Sequence, residues 1–174
     1  MKPKIYFAGK IGKDDWRHRI VPGLREAVWD DATLFNQSLV IDCGDWDYGG
    51  PFFVSCDHGC AHGTNSHGAR TDSCYSHDSG LEERHADIFA INRYRLLRCN
   101  YVFAHIETPD CYGTLIELGM AHTEAIPIIL TFARSITSAQ RADMWMVEQL
   151  ASGRVIAGTA KHCWDTILNR AVNP

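Results

Sequence analysis

The pattern of a strand, a turn and a helix is found in the stretch Tyr101-Val-Phe-Ala-His-Ile-Glu-Thr-Pro-Asp-Cys-Tyr-Gly-Thr-Leu-Ile-Glu-Leu-Gly-Met-Ala121. Its first six residues form an almost continuous apolar run, which is typical of a strand buried on both faces. After Gly113, apolar residues recur at helical spacing, as Leu115, Leu118 and Ala121 do. A strand that leads into a helix is the repeating unit of a helix-covered parallel sheet, so this stretch predicts an α/β domain.

The rest of the chain repeats this alternation. Four more strand-like runs and four helical patterns alternate along it, and we therefore predict one domain over residues 1–174. The predicted fold is a doubly wound parallel sheet of five strands with helices on both faces. The further strands lie at residues 4–8, 39–43, 127–132 and 154–157, and the further helices at 15–30, 81–99, 138–151 and 160–171.

The topology predicts where a ligand binds before any motif is considered. In an open parallel sheet, ligands bind at the carboxyl ends of the strands. The loops that follow the four clearest strands should therefore surround the site. These loops are residues 9–13, 43–50, 107–113 and 131–135.

Composition excludes several classes of protein. A net charge of -4 disfavours a protein that binds nucleic-acid polymers, which needs a cationic surface, although it does not exclude binding one nucleotide. The chain shows neither an apolar run that could cross a bilayer nor a signal-peptide core, so we expect a cytoplasmic protein without a membrane partner. The seven cysteines are then expected as free thiols or metal ligands.

Residues 44–80 break the alternation with an irregular insert after the second strand, rich in Gly, Ser, His, Cys and Asp. Loops of this length are usually functional or mobile. We predict a substrate loop in which Phe52 or Phe53 stacks on a ring and Asp57 or His58 hydrogen-bonds to it. The alternative is a surface excursion that packs on a neighbouring subunit.

Cysteine and histidine alternate in part of this insert. Both residue types bind zinc, but structural zinc pairs usually have two to four residues between ligands, whereas here there is one. We therefore expect no cofactor, and a metal site completed by Cys74 or His77 remains a minor alternative. The alternating residues are Cys56, His58, Cys60 and His62.

The candidate catalytic residue is Glu117, about one turn inside the helix that follows the strand at 101–106. The positive end of the helix dipole favours an ionised carboxylate there. Such a carboxylate can attack an anomeric carbon and hold a covalent glycosyl intermediate. Asp110 could protonate the leaving base or bind it. The alternative is a capping pattern, in which Asp110 and Thr114 serve only as helix N-caps.

The loop after the first strand is glycine-containing and basic. Gly9 and Gly12 precede a predicted helix, and such glycines can cradle a phosphate. Arg17 could make bidentate phosphate contacts, with Lys10 adding charge. The alternative is a polar turn with solvated basic residues.

Three segments resemble the nucleoside 2-deoxyribosyltransferase superfamily: Ile5-Tyr-Phe-Ala-Gly9, Cys99-Asn-Tyr-Val-Phe-Ala-His105 and Asp110-Cys-Tyr-Gly-Thr-Leu-Ile-Glu-Leu-Gly-Met-Ala121. The specific part is Gly-Thr-x-x-Glu-x-Gly-x-Ala, and the resemblance covers most of residues 4–132 apart from the insert. It implies a flavodoxin-like fold, a homo-oligomer, and transfer of a 2-deoxyribosyl group between bases through a glutamyl-sugar ester. Some relatives hydrolyse nucleoside 5′-monophosphates instead.

By position, the resemblance implies that Glu117 is the nucleophile, Asp110 the acidic residue before the Gly-Thr turn, and Tyr6 the residue that orients the nucleophile. Family members often carry an aspartate where this chain has Asn92. An amide cannot shuttle a proton, but it can hydrogen-bond a base or a sugar hydroxyl. The candidate substrate-binding residues are Gly9, Lys10, Trp16, Arg17, Phe52, Asp57, His58, Asn92, Gly113 and Thr114.

The expected function is therefore cleavage or transfer at the N-glycosidic bond of a small-molecule (deoxy)nucleoside or nucleotide. One alternative is a hydrolase of nucleoside 5′-monophosphates or of NAD. An alternative of another class is a nucleotide or metal sensor without turnover, in which the Cys/His-rich insert becomes ordered on binding.

Overall fold

The computed structural model describes residues 2–12, 15–24, 39–52, 61–62, 65–66, 81–153 and 155–172. The strands are β1 (Lys4–Ala8), β2 (Ile41–Asp42), β3 (Asp47–Gly50), β4 (Ala61–His62), β5 (Asn65–Ser66), β6 (Tyr101–Ile106), β7 (Ile128–Phe132) and β8 (Ile156–Ala157). The α-helices are α1 (Leu81–Leu96), α2 (Tyr112–Thr123), α3 (Ser138–Asp143), α4 (Trp145–Glu148) and α5 (Ala160–Val172), and Trp16–Arg19 forms a 3-10 helix.

Six strands form one sheet in the order β2-β3-β1-β6-β7-β8. Strands β3, β1, β6, β7 and β8 are parallel to their neighbours, and β2 adds an antiparallel edge. Strands β4 and β5 pair separately as a two-stranded hairpin. The predicted α/β sheet with helices is confirmed, but it has six strands rather than five.

The extra strand comes from a reversal of the chain after Asp42. Gly44 has a φ of 87°, a conformation that favours glycine, and Cys43 N donates to Trp46 O across the turn. The chain then returns as β3 and pairs with β1. Strand β3 was not predicted, because its segment Asp-Tyr-Gly-Gly contains residues that are depleted in strands.

Two of the predicted helices differ in extent. Within residues 15–24, the pattern predicted over 15–30 gives only the 3-10 helix, and residues 25–30 lie outside the described residues. The pattern over 138–151 divides at Met144 into α3 and α4. A capping box between Thr137 and Gln140 marks the start of α3.

Side chains of β1 alternate between two cores, one on each face of the sheet. Ile5 and Phe7 belong to one core, and Tyr6 and Ala8 belong to the other. The first core contains residues of the 3-10 helix and α5, and the second contains residues of α1, α2 and β7. Helices therefore cover both faces, as the near-continuous apolar strands predicted.

The first core is aromatic and is centred on Phe7. Five rings lie with their centroids 5.0 to 5.7 Å from that of Phe7, in tilted or edge-on orientations. Such ring pairs stabilise a core by about 0.5–1.5 kcal/mol each beyond their buried area. They hold β1 in register with β3 and β6. The five rings belong to Trp16, Trp46, Tyr48, Phe103 and Trp164.

Gly49 is the extra residue of a bulge between β3 and β1, where Ile5 pairs with Tyr48 but Tyr6 pairs with Gly50. A Cβ at Gly49 would lie 2.7 Å from Lys4 Cγ and closer still to Cys99 Sγ. We predict that Gly49→Ala lowers the free energy of unfolding by about 1–3 kcal/mol through overpacking, as measured by urea denaturation.

The matched control is Gly119→Ala, at a helical position where a Cβ meets nothing within 4 Å. This substitution should raise the free energy of unfolding by about 0.5–1 kcal/mol, since glycine disfavours a helix interior. If Gly49→Ala raised stability as Gly119→Ala does, or left it unchanged, the tight packing at Gly49 would be refuted.

Candidate functional site

A cavity of about 330 Å³ lies at the carboxyl ends of β1 and β6. Of the four loops that were expected to surround a ligand site, those that follow these two strands contribute to its lining. Among the described residues, the loops at 43–50 and 131–135 contribute none of its lining. The cavity is lined by Gly9, Lys10, Ile11, Asn92, Asp110, Cys111, Tyr112, Gly113, Thr114 and Glu117.

Glu117 is held in this cavity by a tyrosine from the centre of the sheet. Tyr6 Oη donates a hydrogen bond of 2.5 Å to Glu117 Oε1. Burial first, and then the charge of Glu117, raises the pKa of Tyr6 well above its usual value, so the phenol keeps its proton and acts as the donor. On the helix, the next residue, Leu118, is fully buried and anchors α2 to the sheet.

Tyr6 is itself positioned by a close approach of β3. Gly50 pairs with Tyr6 in the sheet and has a φ of 138°, which favours glycine. A Cβ at Gly50 would lie 3.2 Å from Tyr6 Cε2 and 3.3 Å from Arg95 Cβ. The tyrosine ring therefore packs directly against backbone and has little freedom to move away from Glu117.

Lys10 and Asp110 form an ion pair between the two loops that line the cavity. Lys10 Nζ lies 2.6 Å from Asp110 Oδ2, and both side chains are about half exposed. The hydrogen bond from Lys10 is the largest cause that lowers the pKa of Asp110, followed by a hydrogen bond from Thr108. Asp110 is therefore held as a carboxylate, a state that suits binding better than proton donation.

The start of α2 is not capped as the capping alternative predicted. Its N-cap is Cys111, which makes no side-chain capping bond, so the alternative in which Asp110 or Thr114 caps this helix is wrong. The first N–H groups of a helix lack partners within it and create a positive end. Gly113, where a Cβ would meet nothing within 4 Å, leaves this end open to the cavity.

Arg17 does not lie where the phosphate hypothesis needs it. Its side chain has no exposed surface, and its Nε and Nη2 donate to the carbonyl oxygens of Phe7 and Gly9. Its Nη1 forms a 2.6 Å ion pair with Asp15. The prediction that Arg17 contacts a phosphate is therefore wrong, because the guanidinium is used to hold the loop after β1.

Two predicted aromatic contacts with substrate are also wrong. Phe52 is fully buried beside Tyr48, and the Arg95 guanidinium lies over its ring at 4.6 Å, so it does not stack on a ligand. Trp16 is buried against Phe7 and is not part of the cavity wall. In both cases, burial of a large apolar ring in the core decides its position.

The predictions for the insert mostly concern residues beyond the described part of the chain. Phe53, Asp57 and the proposed zinc ligands lie there, except for His62, whose backbone lies in β4. Within the described residues, no group of three or more His, Cys, Asp or Glu could hold a metal ion. The same residues contain no helix with the length and apolar character that crossing a membrane requires.

Asn92, a predicted substrate-binding residue, lies in the cavity wall. Its Oδ1 is buried and has no hydrogen-bond partner among the described residues. A buried acceptor without a donor costs about 1–3 kcal/mol. The wall therefore includes a residue whose amide oxygen lacks a donor in the described structure.

Some lining residues lie in loops that were predicted to surround the site but were given no individual role. Ile11, Cys111 and Tyr112 line the cavity but carried no functional prediction. For Tyr112, the available signal was its position directly before the Gly-Thr turn, which places it at the helix start. The pairing of Lys10 with Asp110 was also missed, because these residues are 100 positions apart in sequence.

No protein-family model, curated protein or solved structure was found to match the chain. The functional assignment therefore depends on the chemistry and geometry of the cavity, and on the motifs in the sequence.

Because Asn92 Oδ1 is buried without a donor, we predict that Asn92→Leu keeps or raises the free energy of unfolding, by up to about 1 kcal/mol. Thermal and urea unfolding will measure it. The matched control is Asn100→Leu, since Asn100 Oδ1 accepts a 2.8 Å hydrogen bond from Lys4 N and its loss should cost about 1 kcal/mol. Equal destabilisation by the two substitutions would contradict an unpaired Asn92 oxygen.

His105 is a buried histidine of β6 just below the cavity. Thr131 Oγ1 donates to Ala104 O, and so it accepts a 2.8 Å hydrogen bond from His105 Nδ1. Burial, and then the charge of Arg17, lower the pKa of His105 to about 4. The folded protein therefore holds a neutral imidazole at neutral pH.

We predict that this histidine makes the protein less stable in mild acid. From the usual pKa of 6.5 down to about 4, the unfolded chain binds a proton that the folded chain does not, so stability falls as pH falls through this window. Relative to His105→Asn, which keeps a neutral donor, the wild type should lose about 3 kcal/mol between pH 7 and pH 4. If the free energies of unfolding of the two proteins, measured by urea denaturation, fell equally between pH 7 and pH 4, the prediction would be refuted.

Proposed function

We propose that the chain is a flavodoxin-like enzyme that cleaves the N-glycosidic bond of a nucleoside or nucleotide, with Glu117 as nucleophile. The motifs that resemble the nucleoside 2-deoxyribosyltransferase superfamily support this proposal. The sheet supports it as well, because its five parallel strands, taken in sequence order, are arranged 2-1-3-4-5 with β2 as an added edge. This is the order of flavodoxin-like sheets, which bind ligands at the strand ends where the cavity lies.

The observation that carries the proposal is the 2.5 Å hydrogen bond from Tyr6 to Glu117 in a cavity large enough for a small ligand. A nucleophilic carboxylate must be held in one orientation while it attacks. Tyr6 binds one carboxylate oxygen, and we assign the attack on the sugar C1′ to the other. The C1′–N bond then breaks, and the departing base takes the bonding electron pair.

The second half of the reaction determines the product. Attack on the glutamyl-sugar ester by a second base gives transfer, whereas attack by water gives hydrolysis. The alternative of a nucleoside 5′-monophosphate hydrolase loses the support of Arg17, since that side chain is buried. Lys10 remains in the cavity wall as a cation that could bind a phosphate.

The proposed nucleophile is tested with Glu117→Gln. The protein is incubated with a panel of nucleosides and 2′-deoxynucleosides, with and without a free acceptor base, and products are separated by chromatography. We expect Glu117→Gln to lose activity on the order of 10³-fold or more, because an amide cannot form the ester intermediate. The control is Glu124→Gln, an exposed position that follows the same helix, which should retain full activity.

A trapping experiment identifies the intermediate directly. A 2-fluoro nucleoside analogue should leave its sugar on the peptide that contains Glu117, as read by mass spectrometry. Full activity of Glu117→Gln, a label on another residue, or no turnover of any substrate by the wild type would each refute the proposed function.

A further inference from the structure

We infer that the cavity takes N-glycosides whose leaving base already carries a positive charge, such as a pyridinium or an N7-alkylated purine, and releases that base without protonating it. This inference rests on the proposed function, because it assumes that Glu117 attacks the sugar. It concerns the class of substrate, which the proposed function leaves open.

The charge of the base decides whether the reaction needs an acid. When the C1′–N bond breaks, its electron pair remains on the nitrogen. A neutral base then departs as an anion unless an acid protonates it, and such acid catalysis commonly supplies about 10²–10⁴-fold in rate. A cationic base departs as a neutral molecule and gains nothing from the acid.

The described residues around Glu117 have their acidic protons engaged or absent. Asp110 is held as a carboxylate by the ammonium of Lys10 at 2.6 Å. Lys10 would break that ion pair by giving up a proton. The Tyr6 hydroxyl donates to Glu117 itself, and the side chain of Asn92 is an amide.

The two remaining titratable residues of the described wall are Cys111 and Tyr112. Cys111 is buried, and its burial raises the pKa of the thiol, so it is a poor acid. Tyr112 is 73% exposed at the cavity rim. The part of the cavity that the structure describes thus offers no well-placed acid for a neutral leaving base.

The same residues are suited to bind a cation. In the part of the wall that the structure describes, the carboxylates of Glu117 and Asp110 face one ammonium, that of Lys10, so this part has one net negative charge. Asn92 Oδ1 adds an acceptor without a donor. An exposed tyrosine ring at the rim can contact a cationic ring through its face. Electrostatic attraction therefore favours a cationic base over a neutral one.

The chemical step balances without an oxidant, a reductant or an added acid. One oxygen of Glu117 forms a bond to C1′, the C1′–N bond breaks, and its electron pair neutralises the ring nitrogen. Water then attacks C1′, its oxygen remains on the sugar, and Glu117 leaves as a carboxylate. The water proton is released to solvent, so each turnover yields one proton.

Matched substrate pairs test this inference. Guanosine is compared with 7-methylguanosine, and their 2′-deoxy forms with each other, because each pair differs by one methyl group and one charge. Nicotinamide riboside is compared with its neutral, reduced form. We expect kcat/KM for the cationic member to be at least about 100-fold higher at pH 6, where the methylated purines keep their positive charge, and kcat for nicotinamide riboside to be independent of pH between about 6 and 9.

Asp110→Asn separates binding from acid catalysis. If Asp110 attracts a cation, the variant raises KM for the cationic substrates and leaves kcat nearly unchanged. If Asp110 were the acid, the variant would lower kcat for neutral substrates, and the inference would be overturned. Comparable turnover of both members of each pair, abolished by Glu117→Gln, would also overturn it while leaving the proposed function intact. No turnover of either member would refute both.

Discussion

The hydrogen bond from Tyr6 to Glu117 connects the buried centre of the sheet to the chemistry of the cavity. Its donor is a side chain with no exposed surface, and its acceptor lies on a helix that borders the cavity. Because the surrounding core is apolar, the phenol cannot exchange this partner for water without unpacking the sheet. The orientation of Glu117 therefore depends on the packing of β1 and not only on the helix that carries it.

A second buried interaction shapes the opposite wall. Arg17 is fully buried, and burying a guanidinium is costly unless its charge and its donors find partners. Here Asp15 supplies the charge, and Phe7 and Gly9 supply carbonyl oxygens from β1 and the residue that follows it. The loop after β1 is thereby tied to the 3-10 helix, and this connection presents Lys10 to Asp110 across the cavity. Arg17, which was predicted to contact a phosphate, therefore holds the loop that carries Lys10.

The sequence predicted those features that depend on local pattern. The strand at 101–106 was predicted with its observed bounds. A run of six apolar or weakly polar residues is typical of a strand at the centre of a sheet. Two of the four loops that follow the predicted strands line the cavity, as expected for the carboxyl ends of parallel strands. By contrast, β3 was not predicted. Its glycines fit a bulge at Gly49 and a close contact between Gly50 and Tyr6, and both features are visible only in the folded structure.

Side-chain direction was the least predictable property. Arg17 and Phe52 have residue types that suit a ligand site, and nothing in their sequence neighbourhood tells whether they face the cavity or the core. Both face the core, where Arg17 and Arg95 each place a guanidinium beside an aromatic ring, with Arg95 lying over Phe52. The distinction depends on contacts between segments distant in sequence, such as that between Gly49 O and Arg95 Nε, which periodicity does not encode.

Among the described residues, two buried side-chain polar atoms have no hydrogen-bond partner, and one of them lies in the cavity wall. Arg17, Thr131 and His105 are paired, whereas Trp16 Nε1 in the first core and Asn92 Oδ1 in the wall that contains Glu117 have no hydrogen-bond partner among the described residues. Since a domain is stable by only about 5–15 kcal/mol, an unpaired acceptor that costs about 1–3 kcal/mol is a large expense for folding alone. Such a cost is expected where a partner arrives with the ligand. The unpaired oxygen and two carboxylates thus lie together in the described part of the cavity wall, where a donor on a ligand would find acceptors.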